Sequence, residues 1–349
     1  MKARPITSFD RRAALLGAVS IACTPSLPRA PAKQPPPPAR YSGKLEDYVP
    51  SAGLRWLVRG APAKLAESQS FRPALDVLFS EQRLRASAKA NGFAFETLTR
   101  AVIAGFDLGT LYLIELPEPT AEKARARFAA RQIHQTSRRT PDPNIVVLSG
   151  ISDGVPVGLV TLDDRALAYG VGDPTLWRVV EAYARGKLHA KRAFEGVALA
   201  GQQSETDGAF LAAHVPGPFD ERWQQAAGGL LQVATSLSAK LTPTGREHAL
   251  LQLVVHGDFK DSNAAERLRS AYMSVAGSST GMLLGLAGAL EARAELSPNA
   301  DRVILAVPLP TTEIAKGARA AANADLTEIF GLPRASRVDG TPTLAPDSR

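Results

Sequence analysis

Two pentapeptides in this chain have the spacing that lifts a serine out as a nucleophile. Gly150-Ile151-Ser152-Asp153-Gly154 and Gly277-Ser278-Ser279-Thr280-Gly281 both read Gly-x-Ser-x-Gly. The pattern works only where a strand leads in and a helix leads out, so that a strained turn exposes the hydroxyl. Neither serine has that context. Ser152 follows the apolar run Ile145 to Leu148, but Val155-Pro156-Val157 continues as a second strand, so 150–154 is predicted to be a hairpin loop. Ser279 follows a predicted helix, and Met282 to Leu290 resumes one. It reads as a helix break, with Gly281, Gly285 and Gly288 as a small-residue packing stripe. A serine nucleophile also needs a base. His256-Gly257-Asp258 pairs the right residue types, yet it ends a strand. Period-two alternation puts Leu251, Leu253 and Val255 on one face of that strand. His248, Leu250, Gln252, Val254 and His256 fall on the other, which reads as the wetter side. A third partner would have to be His214, on a strand of its own. His134 and His189 lie on or after helices, with no second ligand at helical spacing. The chain has no His-Glu-x-x-His, no paired cysteines and no calcium loop. Gly170-Val171-Gly172 leads into Asp173, not into the third glycine of a phosphate loop. No catalytic residue, metal or cofactor is therefore expected. Ser152 and Ser279 carry the alternative of a serine hydrolase.

Cys23 is the only cysteine. A lone cysteine in an exported chain cannot close an internal disulfide, so it needs another reason to be present. Residues 1–22 read as an export signal: Lys2, Arg4, Arg11 and Arg12 stand against Asp10, and Ala13 to Ala22 is uncharged and apolar. That apolar run of about ten residues is half the roughly twenty that a spanning helix needs. Ser20-Ile21-Ala22-Cys23 resembles the lipobox of bacterial lipoproteins. The resemblance implies a diacylglycerol on the Cys23 sulfur, a mature chain beginning at Cys23, and a membrane attachment through that lipid. Ser20 and Ala22 also fit an ordinary signal-peptidase site. Arg11-Arg12 with Leu15 resembles a twin-arginine export signal, which would carry the protein across already folded. The route, general or twin-arginine, stays open. Prolines at 25, 28, 31 and 35–38 make residues 23–40 an extended tether.

Charge loses its meaning once it is located. Of the net +7, residues 1–22 hold +3 and residues 23–40 hold +3, which leaves +1 for residues 41–349. The body is nearly neutral, and no nucleic-acid partner is expected. Arg125, Arg127, Arg131, Arg138 and Arg139 cluster, but Glu118 and Glu122 precede them, as on a solvated helix and its following loop. Anionic lipid or cell-wall polymer is the lesser reading of that cluster. Tryptophans occur at 56, 177 and 223. Trp177 and Trp223 fall early on amphipathic helices and are expected in the core.

The elements that must position these residues repeat a unit of strand, turn and helix. Leu111 to Leu116 leads to a helix over Ala121 to Ile133, with Thr120 as N-cap. Ala209 to Val215 leads to one from Asp220 to about Ser236. Leu250 to Val255 leads to one ending at Val275, with Ala265, Leu268, Tyr272 and Val275 on one face. Val303 to Val307 leads, past Pro308 and Pro310, to Thr312 to Ala322. Strand pairs lie between: Ile145 to Leu148 with Val155 to Leu162, then Ala166 to Val171, and Leu237 to Leu241 with His248 to Val255. Asp173-Pro174 opens a further helix with Trp177, Val180, Tyr183 and Ala184 on its apolar face.

Hairpins between helices predict an α+β fold of antiparallel sheets with helices packed on one face, in two tandem βαββαβ-like halves. The expected layout is 1–22 signal peptide, 23–40 cysteine and tether, 41–200 first domain, 201–332 second domain and 333–349 disordered tail. The body's general look resembles bacterial lipoproteins of uncharacterised function. That resemblance assigns no activity. The expectation is a non-enzymatic, lipid-anchored envelope protein of the periplasm or outer membrane. It would bind or scaffold an unknown envelope protein or ligand. The alternatives are the serine hydrolase and a small-molecule binding protein with its cleft near residue 200.

Overall fold

The computed structural model describes residues 41–323 apart from 42, 79, 132–133, 279–280, 282–285 and 287–290. The expected signal, Cys23, the tether, Ser279 and the tail lie outside the described residues. In chain order the elements are β1 (Leu54–Gly60), α1 (Pro62–Glu67), α2 (Arg72–Leu78), α3 (Glu81–Asn91), β2 (Arg100–Phe106), β3 (Gly109–Glu115) and α4 (Ala121–Arg131). Next come β4 (His134–Asp142), β5 (Ile145–Ser152), β6 (Val155–Thr161), β7 (Ala166–Gly172) and α5 (Thr175–Ala184). Past residue 200 come β8 (Leu211–Pro216), α6 (Glu221–Ala226), β9 (Ala234–Pro243), β10 (His248–Gly257), α7 (Ala264–Gly277), β11 (Arg293–Leu296), β12 (Arg302–Pro310) and α8 (Thr311–Asn323).

Among the described residues, twelve strands join one antiparallel sheet in the order β11-β12-β10-β9-β8-β1-β2-β3-β7-β6-β5-β4. The α+β class with antiparallel pairing is as expected. The boundary expected near residue 200 falls between α5 and β8, and the segments on either side share this sheet. They meet where β1 pairs with β8, Leu57 opposite His214 and Val58 opposite Ala213.

Helices on one face is the expectation that fails. Successive strand residues point to opposite sides, and here both sides are covered. Ile145 and Val147 of β5 pack with Leu176, Trp177 and Val180 of α5. Their neighbours Val146 and Leu148 pack with Ala121, Ala124 and Phe128 of α4. The two helices therefore lie on opposite faces. Leu251, Leu253 and Val255 of β10 face Leu268, Tyr272 and Ala276 of α7. Following the register across the sheet puts α4 and α7 on the same side. We call this the α7 face and the other the α5 face.

Several boundaries differ for local reasons. The helix expected from Asp220 to Ser236 stops at Ala226, because Gly228 and Gly229 take φ of 58° and 79° and turn the chain out. Strand β12 runs through Pro308 and Pro310 instead of ending before them. Its neighbour β11 reaches only residues 303–306, so the prolines' missing N–H groups cost no ladder bond on that side. Strand β4, which holds Arg138 and Arg139, replaces the loop expected there. Arg138 sits opposite Leu148 and Arg139 opposite Val147, so the apparent arginine cluster is divided between the two faces. Trp177 is buried in α5 and lies over Gly158 and Gly170, where a Cβ would collide with the ring. Trp223 departs from expectation and is 46% exposed.

Candidate functional site

On the α5 face, at the middle of the sheet, the interior turns polar. His214 is fully buried, and Ser236, Ser238, Gln202, Thr206 and Glu46 are buried around it. Strands β8 and β9 supply His214, Ser236 and Ser238. The segment between α5 and β8 folds down as short 3₁₀ turns at Ala193–Glu195 and Ser204–Thr206, and brings Phe194, Gln202 and Thr206. Arg59 comes from β1, and Glu46 from the 3₁₀ turn Leu45–Tyr48.

The hydrogen bonds form a directed chain. Arg59 donates to Thr206 Oγ1 and to the Gln203 carbonyl. Thr206 Oγ1 lies 3.2 Å from His214 Nε2, and Ser238 Oγ lies 2.8 Å from His214 Nδ1. Ser238 donates to Gln202 Oε1 at 3.1 Å, and Gln202 Nε2 donates to Ser236 Oγ at 2.7 Å and to the Ala198 carbonyl at 2.9 Å. Because the Ser238 proton goes to Gln202, Ser238 must accept from Nδ1–H. Burial keeps the imidazole neutral, which leaves Nε2 as an acceptor facing Thr206, whose hydroxyl also reaches the Gln203 carbonyl at 3.3 Å. Burial, then the nearby charges of Arg59 and His256, holds the imidazole pKa down at about 3. The edge of the ring meets Phe194 at 5.0 Å between centroids.

Ion pairs frame this chain. Glu46 lies 3.5 Å from Arg59 and 2.9 Å from Arg100. Asp207 lies 3.3 Å from Arg59. Glu205 binds Arg302 at 2.8 Å and lies 3.0 Å from His256 Nε2. The chemical capacity of the arrangement is to hold, not to react: the imidazole faces no solvent, and both its nitrogens are engaged. It staples the 193–207 segment onto strands from both sides of residue 200.

The candidates from the sequence fall apart in space. Ser152 ends β5 at a two-residue turn, with Asp153 and Gly154 at φ of 51° and 78°, so its pentapeptide is the expected hairpin. His134 is registered with Ile151, which puts it on the opposite face from Ser152. Asp258 is exposed, and its ion pair is with Lys260 at 3.5 Å, not with His256. His256 is not the solvated residue expected, since its side chain is only 14% exposed beneath Glu205. His214, weighed as a third catalytic partner, is the hub of a sealed network instead. Sequence reasoning missed Glu46, Arg59, Gln202, Glu205 and Thr206. The one signal was the polar turn-like stretch around residue 200, read as a boundary. Among the described residues no three His, Cys, Asp or Glu side chains are placed to hold a metal ion. None of the described helices is long and apolar enough to cross a membrane.

The fold is thus an α+β fold built on one long antiparallel sheet. Crystal structures of TP0453 are similar to it. Form III aligns over 80% of this chain and 99% of that chain, at 10% identity and a TM-score of 0.49. Form IV aligns over 79% and 96%, at 10% identity and a TM-score of 0.48. No protein-family description matches the chain, and no curated protein does.

Proposed function

We propose that this is a non-enzymatic, lipid-anchored protein of the cell envelope that binds a partner protein through the α7 face of its central strands. The supporting observation is an apolar row that stays partly exposed, with its end residue Tyr169 meeting Phe128 of α4. Ala213, Val58, Ile103, Tyr112 and Tyr169 are registered neighbours across β8, β1, β2, β3 and β7. Tyr112 is 36% exposed, and beside the row Trp56 is 39% and Leu211 37% exposed. A partly exposed aromatic sheet face of this kind supports reading it as an interaction surface. Cys23 is the proposed anchor, reached through residues 24–40, and periplasm or outer membrane is the proposed location. Two diverged tandem halves are part of the proposal. The orders β1-β2-β3-β7 and β8-β9-β10-β12, read outward from the β1–β8 seam, support it.

Two measurements test the reading. The intact mass of the membrane-bound protein should begin at Cys23 with added acyl mass, and Cys23→Ala should release it; an unmodified soluble form would refute the anchor. A photo-crosslinking residue at 112 should give one discrete adduct in envelope preparations, lost with Trp56→Ala. A control at Val155, also exposed, should give none. Equal labelling at 112 and 155, or no adduct at 112, would refute the binding face.

A further inference from the structure

On the α5 face, far along the sheet from the His214 network, α5 and the edge strand β4 flank an open, shallow pocket of about 430 Å³. Its lining is Arg139, Arg178, Glu181, Ala182, Arg185 and Lys187. Glu181 is buried. It holds two guanidinium groups at once: Arg139 at 2.7 Å and Arg185 at 3.1 Å. Four cations and one carboxylate thus line the pocket, an excess of three charges in a body whose residues 41–349 carry +1 altogether. Arg185 and Lys187 also complement the C-terminal end of α5, but that role does not account for Arg178, on the helix itself, or for Arg139, from another element. Asp173, the acid whose charge senses Arg178, has its carboxylate engaged by the backbone and hydroxyl of Thr175.

We propose that this pocket binds a phosphate-class dianion. Glu181 fixes Arg139 and Arg185 in place, so their remaining N–H donors are oriented before any ligand arrives, and little side-chain freedom is lost on binding. A phosphate group offers several charged acceptor oxygens to those donors and to the exposed Arg178 and Lys187. The group belongs either to a soluble phosphate or to the headgroup of an anionic phospholipid.

The test uses the full chain, with inorganic phosphate in calorimetry at constant ionic strength and with phosphatidylcholine vesicles carrying phosphatidic acid in flotation. Arg178→Gln with Lys187→Gln removes two exposed cations that make no contact with Glu181. Lys89→Gln with Lys123→Gln removes two from the separate pocket between α3 and α4. Saturable binding is expected, weakened about tenfold or more by the first pair and less than about twofold by the second. Phosphate binding assigns the site to a soluble ligand, and vesicle binding without it assigns the site to a headgroup. Saturation by neither probe, or equal weakening by both pairs, overturns the proposal. Thermal unfolding of the first pair at the parent temperature shows that the loss is local. Should that pair fail to fold, Arg178→Gln alone carries the same expectation.

Discussion

The central strands show two faces made from the same short segments with opposite outcomes. On the α5 face of β1, Leu57 is fully buried. Across the register it is flanked by Ala104, Leu111 and His214, which are fully buried too. One residue away on the α7 face, Trp56, Val58 and Tyr112 stay partly in water. The larger side chains are on the wetter side. What separates the faces is the cover. The α5 face receives the 193–207 segment, fastened by the His214 network and by Arg59, which reaches Gln203, Thr206 and Asp207. Over these strands the α7 face has no such polar fastening among the described residues, and its row stays partly exposed.

If the cover decides the energetics, two tryptophans should behave differently. Trp177→Ala should cost about 3–5 kcal/mol, because it empties a filled site over Gly158 and Gly170. Trp56→Ala, on the partly exposed side, should cost about 1 kcal/mol. Urea unfolding of both variants checks this, and equal losses would break the comparison.

Acid should attack the α5 face first. The unfolded chain takes up a proton at His214 near the ordinary value of 6.5, while the folded protein refuses it until about 3. The stability from this site is therefore complete above about pH 6.5 and falls as the pH drops toward 3. The loss at pH 4.5 should be about 2–3 kcal/mol. His214→Gln should flatten the profile in that window; an unchanged slope would remove His214 from the account.

Smaller effects sharpen the contrast. Gln202→Ala leaves Ser236 and the Ser238 hydroxyl without their partner and should cost about 1–2 kcal/mol, read as a lowered unfolding midpoint. Val58→Ser on the other face should change stability by under about 1 kcal/mol while weakening the adduct formed from position 112. A large loss of stability there would mean that the face is structural.

The sequence announced the strands whose alternation or apolar runs are dense. Leu111 to Leu116, Ala166 to Val171, Leu250 to Val255 and Val303 to Val307 are all in place, as are the helices that follow Thr120, Asn263 and Pro310. Strand β4 was illegible because it is an edge. His-Gln-Thr-Ser-Arg-Arg-Thr-Pro-Asp has no apolar period, and charge with proline is how an edge avoids further pairing. Strand β1 hid behind Arg55 and Arg59, which alternation would assign to water. One of them lies beneath the 193–207 segment. The polar network was illegible for a different reason. Its members come from residues 46, 59, 202, 206, 214, 236 and 238, and each alone looks like a surface residue. Only three-dimensional proximity turns them into a set.

The β1–β8 seam bears on how the chain reaches this state. Most strand partners in the sheet are joined by short turns, but Arg59 of β1 and its ion partner Asp207 stand 148 residues apart. Closing a loop of that size costs about 4 kcal/mol in chain entropy beyond a constant. Local hairpins such as β2–β3 and β5–β6 carry almost none of that burden and form early. Joining the seam is therefore expected to be the slow event in folding. A chain halted before it displays β1 and β8 as two fresh edges, each ready to pair with a neighbouring copy in place of its own other half.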